Sequence, residues 1–265
     1  MNMVWWQAMV LGLVQGLTEF LPVSSSGHLI LVRELMGLNN GNGQFNLMFD
    51  VFVHLGTLVA VVIVLYKPIL ELFKKPFKRL LMLIVATIPA VIVGFAFKDY
   101  IEQYFSTATY LCFFFLFTAI IMFVSEVVAK RNKSPKPLSW GGAVAMGFMQ
   151  GAGVFPGISR SGSTIFGGTV TGTDSKEVAT FSFLMSIPVI CGSLLLSVID
   201  VAQAGALAQI DWFSIFVGAM SAFASGYIAI RVMLKLIAKA NYKWFSLYLL
   251  IIAILTFSFY FIPSL

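Results

Sequence analysis

Two short stretches concentrate the reactive side chains of an otherwise apolar chain. Residues 16–28 read GLTEFLPVSSSGH and supply Glu19, Ser24, Ser25, Ser26, Gly27 and His28. Residues 156–164 read PGISRSGST and supply Ser159, Arg160, Ser161 and Gly162. Glu19 and His28 can transfer protons, and a serine hydroxyl or the imidazole can attack phosphorus. Arg160 offers a permanently charged planar fork that suits phosphate oxygens. A helix starting at either serine cluster would turn free backbone N–H groups and the positive end of its dipole toward an anion. The glycines would let the backbone approach a phosphate closely, and the serines would cap the helix or touch the anion. Nucleophile, base and cation together describe phosphoryl transfer.

Each of these residues also has a plainer role open to it. Ser24 and Ser26 fit simple helix caps. Glu19 and Arg160 are costly to bury and would pair with each other when nothing else is bound. Gln15 stands one turn before Glu19 and would either orient it or pack. Asp50 and His54, one turn apart in DVFVHLG, would line a cavity or cap a helix. Ser125 and Glu126, near a span end, are read as snorkelling to the interface. The sequence contains no P-loop, HExxH or CxxC.

The elements that must hold these groups are membrane helices. The chain of 265 residues is 59% hydrophobic and only 11% charged, less than half the roughly 25% usual in soluble domains. Its mean hydropathy is +0.94. A soluble fold of this length could not hide so much apolar surface, so the chain reads as an integral helical membrane protein. The excess of 17 Lys+Arg over 11 Asp+Glu sits in short loops between apolar runs. That placement reads as a topology signal, not nucleic-acid binding. Cys112 and Cys191 both lie in apolar runs and read as packed thiols, not a disulfide. The N-terminal run lacks a basic leader and carries Gln7, Gln15 and Glu19, so it is expected to be retained, not cleaved as a signal peptide.

Six apolar runs are long enough to span, at 50–66, 80–97, 109–129, 178–201, 212–237 and 244–262. Regions 4–37 and 141–171 are different, each broken near its middle by Pro, Gly and Ser. Broken backbone at membrane depth must be buried in protein or line a wet cavity, so both are expected to be re-entrant hairpins of two half-helices. The basic loops at 67–79, 130–136 and 231–243 alternate with loops that hold only one basic residue, Lys98. With the basic loops in the cytoplasm, hairpin 4–37 enters from outside and hairpin 141–171 from inside. Both termini and the polar loop around Asn40 are then outside. Aligned without gaps, residues 15–28 and 150–163 share six of fourteen positions, including Gln15/Gln150, Ser24/Ser159 and Gly27/Gly162. The expected fold is therefore all-α: six transmembrane helices plus two re-entrant hairpins, arranged as an inverted-topology repeat. A single membrane domain (1–265) would contain repeat one at 1–131 and repeat two at 138–265. In such folds the broken helices meet near the midplane and build the site.

On the two motifs, and on DVFVHLGTLVAV (50–61) and FSFLMSIPV (181–189), the sequence closely resembles the undecaprenyl-diphosphate phosphatases of the bacitracin-resistance family. The resemblance covers nearly the whole chain. It implies a bacterial cytoplasmic-membrane enzyme with an outward-facing site that hydrolyses undecaprenyl diphosphate to the monophosphate and phosphate. That reaction recycles the carrier lipid for peptidoglycan. The family's functional glutamate, serine, histidine and arginine match Glu19, Ser25, His28 and Arg160; Ser24, Ser26, Gly27, Ser159, Ser161 and Gly162 would bind substrate. The resemblance also implies a divalent cation, Mg²⁺ or Ca²⁺, for which Glu19 is the candidate ligand, and leaves room for a homodimer. One departure is Gln15, where the family often has a second glutamate; an amide is a poor ligand for Mg²⁺. Type-2 phosphatidic acid phosphatases also use an SGH element but require a histidine where this chain has Phe166, and are set aside. The competing reading is a transporter or flippase of an isoprenoid lipid phosphate, because inverted repeats are also transporter architecture.

Overall fold

The computed structural model describes residues 3–38, 43–105, 107–204 and 211–262; Asn40 lies outside the described residues. Helices α1 (Trp5–Phe20) and α2 (Ser25–Leu35) form a first hairpin, followed by α3 (Gly43–Val64), α4 (Tyr66–Leu72), α5 (Lys78–Tyr104) and α6 (Leu111–Arg131). Helices α7 (Trp140–Ala152) and α8 (Arg160–Val170) form a second hairpin, followed by α9 (Ser175–Ala204), α10 (Trp212–Ile237) and α11 (Lys243–Phe261). Five stretches are long and apolar enough to cross a membrane: Lys78–Phe97, Ala108–Arg131, Ser175–Ile199, Trp212–Ile237 and Lys243–Phe261. A sixth forms if Met48–Val64 and Tyr66–Leu72, bent by 77°, count as one span. The protein is an all-helical, multi-pass membrane protein. Helices α2 and α8 have 11 residues each. At 1.5 Å per residue they reach only about 17 Å, against a hydrocarbon core of about 30 Å.

The span expected at 50–66 stops at Val64, and the chain turns sharply into α4. Pro68 gives the reason. A continuous helix would need an N–H at 68 for the Val64 carbonyl, and proline has none, while its ring would press on that carbonyl. In the first turn of a new helix the same proline costs nothing. Two other starts, those of α7 and α10, are capped by side chains. Ser139 accepts from Gly142 N–H at 3.1 Å. Asp211 accepts from Phe213 and Ser214 N–H groups and from the Ser214 hydroxyl at 2.6 Å. The Ser214 hydroxyl, joined by those N–H groups, holds the Asp211 carboxyl below its usual range against the opposing effect of burial.

The two hairpins pack through matching pairs of glycines. On α1, Gly12 and Gly16 face α10 so closely that a Cβ at Gly16 would lie 2.0 Å from Ser225 Oγ and 2.3 Å from the Ala222 carbonyl oxygen. On α7, a Cβ at Gly147 would lie 2.7 Å from the Ala86 carbonyl oxygen of α5, and Gly151 faces Val93 and Pro89. Both pairs have the small-xxx-small spacing that lets membrane helices touch backbone to backbone. In both interfaces residue numbers rise together, so α1 runs parallel to α10 and α7 runs parallel to α5. Gly16→Leu should therefore force the two backbones apart. We expect a loss of about 1–3 kcal/mol or more from overpacking, read as a lower unfolding temperature in detergent; an unchanged temperature would mean this interface is loose.

Contacts gather the basic loops at one end of the bundle. Arg79 bonds Glu177 at 3.0 Å, and Glu177 also accepts the Leu138 N–H at 2.7 Å. Lys136 forms an isolated backbone bridge with Thr173. Glu126 does not snorkel as expected from its position near a span end. It is buried, pairs with Lys130 at 2.5 Å and accepts the Lys243 N–H at the start of α11. A carboxylate at that helix start complements the dipole. At the opposite end, Ser214 bonds the Met3 carbonyl and Arg33 pairs with Asp50.

Candidate active site

The hairpin tips meet inside the bundle. Ser161 Oγ of the second tip donates to the Leu21 carbonyl of the first at 2.9 Å, and Gly162 approaches Pro22. The two turns are built alike. Ser24 caps α2 by accepting the Gly27 N–H at 3.3 Å, with Ser26 Oγ 3.4 Å away. Ser159 caps α8 by accepting the Gly162 N–H at 3.1 Å, with Ser161 Oγ 3.2 Å away. Only one N–H of each first turn is used this way, so others remain for an anion. Ser24 reaches its place with φ 72°, in the left-handed region that non-glycine residues seldom occupy. Such strain tends to persist where a functional geometry needs it.

The decisive contacts cross between the tips. Arg160 Nη2 donates to Glu19 Oε1 at 2.5 Å. Ser25 Oγ donates to Glu19 Oε2 at 2.6 Å, and Gln15 Nε2 donates to the same oxygen at 3.1 Å. Gln15 thus orients the carboxylate. The side chains of Arg160 and Glu19 are 12% and 7% exposed, so this ion pair is largely removed from solvent. Arg160 Nη1 is buried with no partner among the described residues. An unpaired buried donor is costly, more so when charged, and an anionic ligand would relieve the cost.

Glu19, Ser25 and Arg160 line a cavity of about 260 Å³ together with Ser24, Ser26 and Ser159. Sequence reasoning missed Thr18, Gln150 and Ser193 in its wall, although the alignment of Gln15 with Gln150 was a signal for one of them. His54, left open between cavity and cap, lines the cavity. Asp50 pairs with Arg33 instead. Several expected substrate contacts lie behind the wall. The face of Gly27 that a side chain would occupy is filled by the Phe115 ring at 2.7 Å, and Gly162 packs on Ser159. Ser161 is spent on Leu21.

His28 is also behind the wall. Its Nδ1 lies 2.7 Å from the Ser24 carbonyl, which can only accept, so Nδ1 carries a proton. Its Nε2 lies 2.7 Å from Tyr248 Oη, and the two rings stack at 5.6 Å. Neither nitrogen bonds Ser25 or Glu19. The structure brings together Glu19, Ser25 and Arg160, and places His28 as a strut between the serine turn and α11.

Over residues 8–255 the sequence matches the family described as bacitracin resistance protein BacA. The chain belongs to this family. It is 41% identical over 251 residues to an undecaprenyl-diphosphatase of Carboxydothermus hydrogenoformans, covering 94% of this chain and 95% of the relative. It is 39% identical to an undecaprenyl-diphosphatase of Halothermothrix orenii, covering 94% and 96%. It is 40% identical to an undecaprenyl-diphosphatase 4 of Bacillus cereus, covering 97% and 98%. The divalent cation expected of this family meets a poor donor set here. Glu19 is the one carboxylate among the residues lining the cavity, and both its oxygens already accept from Arg160, Ser25 and Gln15. Among the described residues no group of three or more His, Cys, Asp or Glu could hold a metal. Ca²⁺ takes six to eight oxygen ligands, and Mg²⁺ is usually held by one or two carboxylates with waters and substrate phosphates, so Glu19 alone completes neither set without substrate oxygens and water.

Proposed function

We propose that the protein hydrolyses undecaprenyl diphosphate to undecaprenyl phosphate and phosphate, recycling a carrier lipid for peptidoglycan and thereby resisting bacitracin. The observation that carries this reading is the Ser25–Glu19–Arg160 constellation in one cavity. Glu19 accepts the Ser25 proton as Ser25 Oγ bonds to the terminal phosphorus. Arg160, through its spare Nη1, and the free N–H groups of α2 and α8 hold the phosphoryl oxygens as charge builds. The bridging P–O bond breaks and its electron pair leaves with the lipid monophosphate. Water then releases phosphate from Ser25. His28 holds the Ser24 carbonyl and so the turn that aims Ser25.

The surroundings fit a polar head on an apolar tail. Beside the cavity, across adjacent residues of α9, runs an apolar groove of about 570 Å³ whose walls include Val62, Ile69, Leu83 and Pro188. A pure carrier of an anion would need Arg160 and the helix ends but no serine hydroxyl bonded to a carboxylate; that bond favours hydrolysis over transport.

We further read the fold as an inverted repeat, 1–131 against 138–265, with both hairpins re-entrant. The parallel α1–α10 and α7–α5 pairs, which begin at opposite ends of the bundle, support it. The gathered basic loops support a cytoplasmic basic end, with the first hairpin, both termini and the cavity mouth on the outer side of the bacterial cytoplasmic membrane. Purified protein with undecaprenyl diphosphate in detergent should release phosphate; lipid movement in vesicles without phosphate release would make it a transporter. In a Cys191→Ser background, Leu35→Cys should react with an impermeant thiol reagent on intact spheroplasts. Lys133→Cys should react only after lysis, and the reverse pattern would invert the orientation.

A further inference from the structure

The chain has two histidines, and the one outside the expected catalytic motif is the one in the cavity. His54 sits midway along α3, at membrane depth, where ionisable side chains are expensive and seldom idle. Its Nδ1 lies 2.7 Å from the Asp50 carbonyl of its own helix, so Nδ1 is a fixed donor and the ring has one orientation. Its Nε2 takes no hydrogen-bond partner among the described residues and is not fully buried. The ring lines the same cavity as Glu19, Ser25 and Arg160. His28, by contrast, has both nitrogens engaged outside the cavity wall.

We propose that His54 is a second proton-transfer residue of the reaction, acting through Nε2 on the leaving lipid phosphate and then on water. This rests on the diphosphatase reading above. In the first step Ser25 Oγ bonds to the terminal phosphorus and its proton passes to Glu19. The bridging P–O bond breaks, its electron pair stays on the lipid phosphate oxygen, and that oxygen takes the proton of His54 Nε2. In the second step a water oxygen bonds to phosphorus and gives a proton to neutral Nε2. Ser25 Oγ departs with the P–O electron pair and recovers its proton from Glu19. Both residues end as they began, and the sum is diphosphate plus water giving lipid monophosphate plus phosphate. One imidazole serves as acid and then base because Nδ1 keeps its hydrogen bond to Asp50 in both forms. The charged groups sharing the cavity with it are Glu19 of α1 and Arg160 of α8; on its own helix, Asp50 is neutralised by Arg33 of α2.

The test is turnover of undecaprenyl diphosphate in detergent as a function of pH for wild type, His54→Gln and His54→Ala. Since the first step needs a proton on Nε2 as well as on Nδ1, wild-type kcat/KM should fall toward alkaline pH. His54→Gln should lose about 100-fold in kcat, within the range for general acid–base catalysis, with KM little changed and the alkaline fall gone. Imidazole should restore part of the rate to His54→Ala. The inference is overturned if His54→Gln turns over like wild type. It is also overturned if the variant is slow yet keeps the alkaline fall, and His54→Ala is not rescued. Should His54→Gln not fold, a wild-type profile without an alkaline fall overturns it equally. Absence of phosphate release by the wild type would sink the diphosphatase reading itself, a separate result.

Discussion

Arg160→Lys should lower turnover about 30–1000-fold, which corresponds to about 2–4 kcal/mol of transition-state stabilisation. The substitution keeps the charge, so a diffuse electrostatic role would be preserved. What it removes is the fork. In the structure one Arg160 arm holds Glu19 Oε1 at 2.5 Å while the other, Nη1, is buried without a partner. A lysine ammonium is a single point and cannot direct separate planar donors at carboxylate and phosphate. The measurement is phosphate release at saturating lipid diphosphate. Turnover near wild type would show that Arg160 serves only to neutralise Glu19.

Ser25→Ala should cost still more, on the order of 10⁴-fold or greater, by analogy with nucleophiles removed from other hydrolases. Glu19→Gln should fall to a similar level, and the double variant should be no worse than either. Residues that act as one unit show such non-additivity, and the 2.6 Å bond between them is the physical basis for it. Glu19→Gln has a second effect: it leaves Arg160 buried and unpaired, and breaking a buried pair typically costs about 3–5 kcal/mol. Thermal unfolding in detergent separates the two, because Ser25→Ala should leave stability close to wild type. If the two losses multiply, the serine and the glutamate act independently and the proton path from Ser25 is wrong.

Much of the architecture was legible because membrane physics leaves few choices. Breaks at LPVSSSGH and FPGISRSG can exist at depth only if buried in protein or lining a wet cavity, and the structure joins those two tips. The cost of burying Glu19 and Arg160 predicts their pairing, and they pair. Other features depend on distant packing. The sequence leaves His28 open as nucleophile or as base for Ser25; in the structure its Nε2 meets Tyr248, 220 positions away, and nothing local announces that. His54 shares one face of α3 with Asp50 and Thr57, but the neighbours of α3, distant in sequence, decide whether that face meets the cavity. The bend after Val64 was readable from Pro68 and was passed over, as were the glycine pairs at 12/16 and 147/151. Glu126 was misjudged because the N–H it caps belongs to α11, over a hundred residues on.

In the proposed mechanism Ser25, activated by Glu19, carries the phosphoryl group. The most direct measurement is an acid quench of wild-type protein turning over undecaprenyl diphosphate labelled in its terminal phosphate, followed by mapping of the bound label. An acid-stable phosphoester is expected on the peptide that contains Ser25, absent in Ser25→Ala and still formed, more slowly, in His28→Ala. An acid-labile label on His28, or rapid phosphate release with no label on the protein at any time, would contradict it.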